Sequence, residues 1–311
     1  MFNRTFVAII GLFLGSAVMA RQPAKAADGG GSPPAAAAAA GRSDILPPQE
    51  VAKGTYFIRG RSNSIFVVGT DGVILIDTMT AGHGGAIERG ISAVTPLPVK
   101  YVINTHFHQD HTGSNETFGI AGIPIVAQEN VLTELSEPQH NRRGDVIAPA
   151  PPAARPTITY QRSMTLRIPG VTAQLDYAPG GHTDGDTYVW LPRQNVIVAG
   201  DLIHGNEYPF LDLDHGATVD GNIRAQEAML KLAGPDTLIL PGHGAPLDRQ
   251  ALKRNLDMVR RVRNAVARLI KQGRSEEQVV AMKLLQNDRS VQPGGPDNRD
   301  DFIRQVYESL K

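Results

Sequence analysis

The chain has 311 residues, 41% of them hydrophobic, with 31 basic residues against 31 acidic ones and no cysteine. That length buries a full core in one large domain or two small ones. The balanced charge excludes the basic excess of a nucleic-acid surface. The missing cysteine excludes a disulfide framework, a thiolate metal site and a cysteine nucleophile, so any metal site must use nitrogen and oxygen ligands.

The N-terminus reads as a targeting segment. "MFNR" carries positive charge, the apolar run 5–20 follows, and small residues suited to cleavage end at Ala20 and Ala26. Sixteen apolar residues fall short of the roughly 20 that a spanning helix needs. We therefore expect residues 1–26 to be a signal peptide, with no stable membrane insertion after cleavage. The mature chain is expected to be exported, and periplasmic if the source is Gram-negative. Without Arg4, Arg21 and Lys25, 28 basic residues face 31 acidic ones. Residues 27–44 ("ADGGGSPPAAAAAAGRSD") are low in complexity and read as a flexible leader.

From Ile45 onwards the pattern is that of a folded domain, expected over 45–250. "GTYFIRG", "SNSIFVVGT" and "DGVILIDT" are short runs rich in β-branched and aromatic residues, separated by Gly, Asn and Asp, and predict consecutive antiparallel strands. Residues 83–94 carry helical spacing and stop before Pro96. "VKYVINT" (99–105) predicts a strand buried on both faces. "GIPIVAQ" predicts another strand, and 129–137 a helix. The stretch 138–156 has no period and much proline, as functional insertions often do. Its Arg142 and Arg143 have two readings: an anion-binding pair over a site or, the commoner case, solvated surface. Strands follow at 157–160, 164–168 and 171–177, then a hairpin-like pair, "TYVWLP" and "NVIVAGD". After a helix over 222–233, "DTLILPGHG" predicts a last strand.

A C-terminal helical extension over 251–311 is expected to pack on the domain. Leu252, Leu256, Val259, Val262, Val266 and Leu269 share one helix face, "SEEQ" (275–278) is a capping box, and Phe302, Ile303, Val306, Tyr307 and Leu310 mark a final helix. Strands, helix, strands and helices, with a pseudo-repeat across the middle, suit a mixed α/β (α+β) sandwich of sheets flanked by helices.

The chemistry concentrates in "NTHFHQDHTGSN" (104–115), where His106, His108, Asp110 and His111 fall within six positions. Imidazole and carboxylate are ligands for Zn²⁺, Fe²⁺ or Mn²⁺. One ion cannot easily use four side chains from so short a loop. Two ions can, with His106 and His108 on one and Asp110 and His111 on the other. Three further apolar strands end on metal-capable residues beside glycine: "APGGHTDGD" with His182, "VIVAGD" with Asp201 and "LILPGHG" with His243.

"THFHQDH", "GHT", "AGD" and "PGHG", in this order, closely resemble the metallo-β-lactamase-fold superfamily over about residues 50–250. The resemblance implies an αββα four-layer sandwich with its site at the sheet edge, and two Zn²⁺ ions, with Fe or Mn as alternatives. It implies His106, His108 and His182 on metal one, Asp110, His111 and His243 on metal two, and Asp201 bridging. Asp77, in "LIDT", matches a position that supports the metal loop. Zinc β-lactamases generally carry Cys or Ser near the place of Asp201, whereas glyoxalase II-like, lactonase, arylsulfatase-type and phosphodiester-cleaving members keep the aspartate. The implied activity is a dinuclear zinc hydrolase that cleaves a small ester, lactone, thioester or amide with a metal-bridging hydroxide, Asp110 orienting the nucleophile and shuttling its proton. Two alternatives are a β-lactamase and a mononuclear iron oxidoreductase of the persulfide dioxygenase type. Between 201 and 221, His204 is a candidate oxyanion donor, and Tyr208, Phe210 and His215 are candidate pocket residues for a small-molecule substrate. For each, the plainer reading is a loop or packing role.

Overall fold

The computed structural model describes residues 45–140, 146–291 and 297–311. The signal peptide, the leader, Arg142 and Arg143 lie outside the described residues. In chain order the elements are β1 (Gln49–Ala52), β2 (Thr55–Ile58), β3 (Ser64–Val68), β4 (Val73–Ile76), α1 (Gly84–Val94), β5 (Val99–Ile103), α2 (Gln109–Thr112), α3 (Asn115–Ile120), β6 (Ile125–Gln128), α4 (Glu129–Ser136), β7 (Gln139–His140) and β8 (Val146–Ile147). There follow β9 (Ile158–Tyr160), β10 (Ser163–Ile168), β11 (Val171–Tyr177), β12 (Thr187–Leu191), β13 (Val196–Gly200), α5 (Val219–Leu232), β14 (Leu238–Pro241), β15 (Leu247–Asp248), α6 (Arg249–Lys271), α7 (Glu276–Ala281) and α8 (Arg299–Ser309).

Seven strands form one sheet in the order β1-β2-β3-β4-β5-β6-β9, and six form another in the order β10-β11-β12-β13-β14-β15. Each sheet runs antiparallel first and then turns parallel, at β4–β5 in the first and β13–β14 in the second. That repeat is the pseudo-symmetry visible in the sequence.

Strand alternation sorts the side chains. Ile65, Val67, Ile74 and Ile76 of the first sheet share one core with Ala173, Leu175, Val189, Val198 and Leu240 of the second. The opposite faces take helices. Phe66, Leu75 and Val102 pack with Ile87 and Ile91 of α1 and Phe118 of α3, and Ile197, Ala199 and Ile239 pack with Met229 of α5 and Leu252 of α6. At about 25 cal/mol per Å² of apolar surface removed from water, this alternation is what holds the sheets in register. Further along, Val259, Val262 and Val266 of α6 meet Phe302, Ile303 and Val306 of α8 in a separate core. Ser275 and Gln278 close the capping box of α7.

Three local expectations change. β5 is buried only at its C-terminal end, because Val99, Lys100 and Tyr101 are partly or fully exposed and Lys100 lays its stem against Gly72. The described residues of 138–156 are not structureless: β7 pairs with β8, and Pro152–Ala154 form a 3₁₀ turn. The histidine cluster is half helical, since Asp110 and His111 lie within α2. Among the described residues no helix is long and apolar enough to cross a membrane.

Candidate metal centre

The site forms where the parallel pairs β4–β5 and β13–β14 end. Beyond β5 the chain runs through Asn104 and Thr105 to His106, then reaches His108 in an extended conformation (φ −55°, ψ 144°) before winding into α2. That switch from extended to helical explains the crowding: four ligand-type side chains leave the backbone in different directions. Asp77, at the end of β4, is held at φ +60°. This left-handed region costs a non-glycine residue about 1–3 kcal/mol, and aspartate is among the residues that adopt it most readily.

Each candidate imidazole has its outward nitrogen committed to a protein acceptor, which sends the other nitrogen inward. His182 donates from Nδ1 to the Phe210 carbonyl at 2.8 Å. His108 donates from Nε2 to Asp212 Oδ2 at 2.8 Å. His106 places Nδ1 3.1 Å from the Thr105 hydroxyl, whose own proton goes to Asp77. The inward atoms converge: His108 Nδ1 stands 3.1 Å from His106 Nε2 and 3.0 Å from His182 Nε2. Three lone pairs so close repel one another unless a cation sits among them.

The second group follows the same rule. His111 donates from Nδ1 to Asp77 Oδ2 at 2.8 Å, and His243 from Nδ1 to the Arg61 carbonyl at 2.8 Å. His243 Nε2 then lies 3.1 Å from Asp110 Oδ2 and 3.3 Å from Asp201 Oδ2. His111 Nε2 lies 3.4 Å from Asp201 Oδ1 and 3.7 Å from Asp110 Oδ2. Asp201 also reaches the first group, with Oδ2 3.7 Å from His182 Nε2 and 4.0 Å from His106 Nε2. The side chains therefore form three overlapping groups able to hold an ion: His106, His108 and His182; His106, His111 and Asp201; and Asp110, His111 and His243. Both His111 Nε2 and Asp201 Oδ1 are buried without a hydrogen-bond partner in the protein. Such orphaned polar atoms are costly, and a divalent cation is the partner their chemistry fits.

Two glycines make the approach possible. Gly200 ends β13 at φ +51°, and a Cβ there would meet Thr105 Oγ1 at 2.7 Å. At Gly242 a Cβ would stand 2.0 Å from Asp201 Oδ1 and 2.7 Å from His111 Cε1.

Electrostatics divides the groups. Burial, then repulsion from His111 and His182, pushes the His106 pKa well down, and burial takes His182 down to about 3. Both are therefore neutral ligands at neutral pH. Burial also opposes charge on His111 and His243, but the surrounding carboxylates win: Asp201, Asp110 and Asp77 raise His111, and Asp201 and Asp110 raise His243 to about 10. Burial works against ionised Asp110 and Asp201 as well. His111 and His243 overcome it, with His204 adding at Asp201, so both carboxyls stay well below the usual range.

A cleft of about 580 Å³ opens beside the centre. Phe107, His108, Asp110, Leu135, Ile147, Pro149, Phe210 and His215 line it. Phe210 and His215 thus face the cleft. Tyr208 does not: it is buried in the helical core, stacked on Phe302, with its hydroxyl 3.4 Å from Asp288 Oδ1. His204 does not line the cleft. It stands between Asp201 Oδ2 (3.3 Å) and Glu207 Oε1 (3.4 Å) and lines a smaller cavity with Arg254 and Arg289. The stretch 138–156 supplies one cleft wall through Gln139, His140 and Ile147–Pro151.

Sequence reasoning missed three supporting residues. Asp212 fixes His108 from 104 positions away. Thr105 gives both its amide and its hydroxyl hydrogen to Asp77 at 2.8 Å. Asp186 accepts from the His182 and Thr183 amides and the Thr183 hydroxyl, and burial raises its carboxyl to about 7. Only Asp186 had a local signal, the "HTDGD" turn, in which an aspartate caps nearby backbone amides.

The comparisons agree with this geometry. A family model described as the metallo-beta-lactamase superfamily matches residues 58–243. The metallo-beta-lactamase IND-1 of Chryseobacterium indologenes is 26% identical over 183 residues, 58% of this chain and 71% of its own. A type 2 metallo-beta-lactamase of Bacillus cereus is 28% identical over 160 residues, 51% of this chain, and the match spans 57% of that relative's length. Among solved structures, a metallo-beta-lactamase from Pontibacter korlensis aligns with a TM-score of 0.57 at 21% identity, covering 69% of this chain and 99% of that one. The sec-alkylsulfatase Pisa1 from Pseudomonas sp. aligns with a TM-score of 0.64 at 19% identity, covering 84% and 50%. At those identities the structural likeness speaks for the fold alone. The family match spans more than half of the chain and contains every candidate ligand from His106 to His243, and the chain belongs to the metallo-beta-lactamase superfamily.

Proposed function

We propose that this chain is an exported dinuclear zinc hydrolase acting on a small ester, lactone, thioester or amide. Superfamily membership makes it a metal-dependent hydrolase; the number and identity of the ions, the substrate class and export are our reading. One observation carries it. Every candidate imidazole has its outer nitrogen engaged by Thr105, Asp212, Phe210, Asp77 or Arg61, while the inner nitrogens and the carboxylates of Asp110 and Asp201 face one another. His106, His108 and His182 would hold one ion, Asp110, His111 and His243 the second, and Asp201 has an oxygen toward each. The set fits nitrogen- and oxygen-loving divalent ions.

When bound, a pair of zinc ions supplies Lewis acidity and a water whose pKa falls to about 7. The protein's own part is positioning and proton handling. Asp110 is kept ionised by His111 and His243, and its carboxylate opens on the cleft, where it can orient a water and take its proton. Phe107, Leu135, Ile147 and Phe210 offer an apolar wall that excludes water and holds the substrate's carbon skeleton. His204 Nε2, 3.3 Å from Asp201 Oδ2, places a positive partner beside that carboxylate when its ring is protonated.

A single iron held by His106, His182 and Asp201 is the competing reading. The close packing of Asp110, His111 and His243 favours two ions. Metal analysis of the purified protein separates them: two zinc per chain supports the proposal, whereas one iron with oxygen uptake on persulfides overturns it. Nitrocefin, lactone, thioester and phosphodiester substrates then divide the hydrolase branch, and a clear preference for nitrocefin replaces the proposal with a β-lactamase. His108→Ala is expected to abolish turnover with the circular dichroism spectrum unchanged. Export is tested by fractionating cells that express the full chain, and retention in the cytoplasm refutes it.

A further inference from the structure

His215 belongs to neither candidate ligand group, yet it bonds in two directions. Its Nδ1 lies 2.8 Å from Asp212 Oδ2, the same oxygen that accepts from His108 Nε2. Its Nε2 lies 2.9 Å from Gln139 Oε1. Gln139 is fixed in turn, because its amide nitrogen donates to the Glu134 carbonyl at 2.8 Å and its backbone pairs in β7 opposite Ile147 of β8. Ile147, Gln139, Asp212 and His215 all line the cleft. The Phe107 ring packs on both His215 (centroids 4.8 Å apart) and His108 (4.6 Å), so the imidazole has little freedom to turn.

The chain of contacts runs without a gap from a cleft wall to a candidate metal ligand: Ile147 and Gln139, then His215, then Asp212, then His108. We propose that His215 is a positioning residue that couples the cleft wall formed by Gln139, His140 and Ile147–Pro151 to the orientation of His108, so that one side chain sets both the shape of the substrate wall and the aim of one ligand. The proposal rests on reading His108 as a metal ligand. A histidine suits this place because its two nitrogens point in divergent directions, and a ring that carries a proton on each nitrogen donates to oxygens of two separate segments. Outer partners of ligating histidines typically change metal affinity by about 10–100-fold when removed.

Three variants divide the chain. His215→Asn keeps a short amide near the place of Nδ1 and loses the reach to Gln139. Gln139→Leu removes the same contact from the other side, and His215→Ala removes both. Two readouts need no turnover: zinc affinity of the metal-free protein against a competing chelator, and amide hydrogen exchange at Gln139–His140 and Val146–Ala150 in the metal-free protein. We expect His215→Asn and Gln139→Leu to bind zinc as the wild type does, with faster exchange at these wall residues and, in the loaded enzyme, KM raised about fivefold at nearly constant kcat, the loss of one hydrogen bond. His215→Ala is expected to add a loss of zinc affinity of about tenfold or more. Wild-type zinc affinity in His215→Ala, or unchanged exchange and KM in Gln139→Leu, overturns the proposal. Wild-type zinc binding by His108→Ala instead overturns the ligand assignment beneath it, so the two failures are distinguishable.

Discussion

Gly242→Ala is the sharpest test of how tightly the centre is built. A methyl group there would lie 2.0 Å from Asp201 Oδ1, 2.7 Å from His111 Cε1 and 3.2 Å from the Gly200 carbonyl carbon. Non-bonded carbon and oxygen rarely approach within about 3.2 Å, so Asp201 or the 241–243 loop must move by about 1 Å or more. Gly242 has no positive φ, so the effect is one of space alone. A shift of about 1 Å at a reacting centre costs about a hundredfold in rate. Overpacking itself costs about 1–3 kcal/mol, which a domain of this size survives. The expected result is a folded protein whose metal-free melting temperature falls by a few degrees, whose kcat/KM falls about a hundredfold and whose metal content drops below the wild-type value. A Gly242→Ala enzyme with full metal content and wild-type kcat/KM would refute the placement of Asp201 between the two groups.

Other expectations follow from the same contacts. Asp77→Asn keeps a residue that tolerates the left-handed backbone but sets an amide nitrogen against donors from Thr105 or His111, so zinc affinity is expected to fall about tenfold or more, measured by chelator competition, with the fold retained. Metal binding should release protons unequally. His243, raised to about 10, and His111, also raised, hold protons at pH 7.5 that an ion must displace, whereas His106 and His182, both lowered, hold none. Lowering the pH from 9 to 6 should thus weaken the second ion by about tenfold per pH unit for each proton displaced. Calorimetry in buffers of different ionisation enthalpy counts those protons, and a count of zero would contradict the assignment. Tyr208→Phe should leave kcat/KM unchanged and lower stability by about 1 kcal/mol in urea unfolding, because it deletes only the hydroxyl's contacts to Asp288 and Arg299; a large loss of activity would return Tyr208 to the substrate site.

Much of the centre was legible because its signals are local. An apolar strand that ends on a histidine or aspartate beside glycine can be read within ten residues, and His182, Asp201 and His243 carry that mark, while His106 follows an apolar strand directly. The seven side chains do converge within the family's matched span. What stayed hidden depends on contacts that sequence spacing does not encode. Asp212 looks like any loop aspartate until the fold brings it to His108. Tyr208 and Phe210 were indistinguishable as pocket candidates, yet two residues further along the loop turns from the helical core to the cleft. The proline-rich stretch 138–156 gave no period because its order comes from the short β7–β8 pairing and from tertiary bonds such as Ala150 to Leu135 rather than from repeating burial.

Neither candidate ion could be held by one sheet alone. His106, His108, Asp110 and His111 follow β5 of the first sheet, whereas His182, Asp201 and His243 follow β11, β13 and β14 of the second. A cation seated among them therefore fastens the two sheets together at their edge, joining segments up to 137 positions apart between His106 and His243. Bound metal acts as a clasp on the assembled sandwich, and its binding energy adds directly to the stability of the native state. It also imposes an order during synthesis. Until β14 has emerged and docked beside β13, Asp110 and His111 lack His243, so a nascent or truncated chain cannot complete the second group.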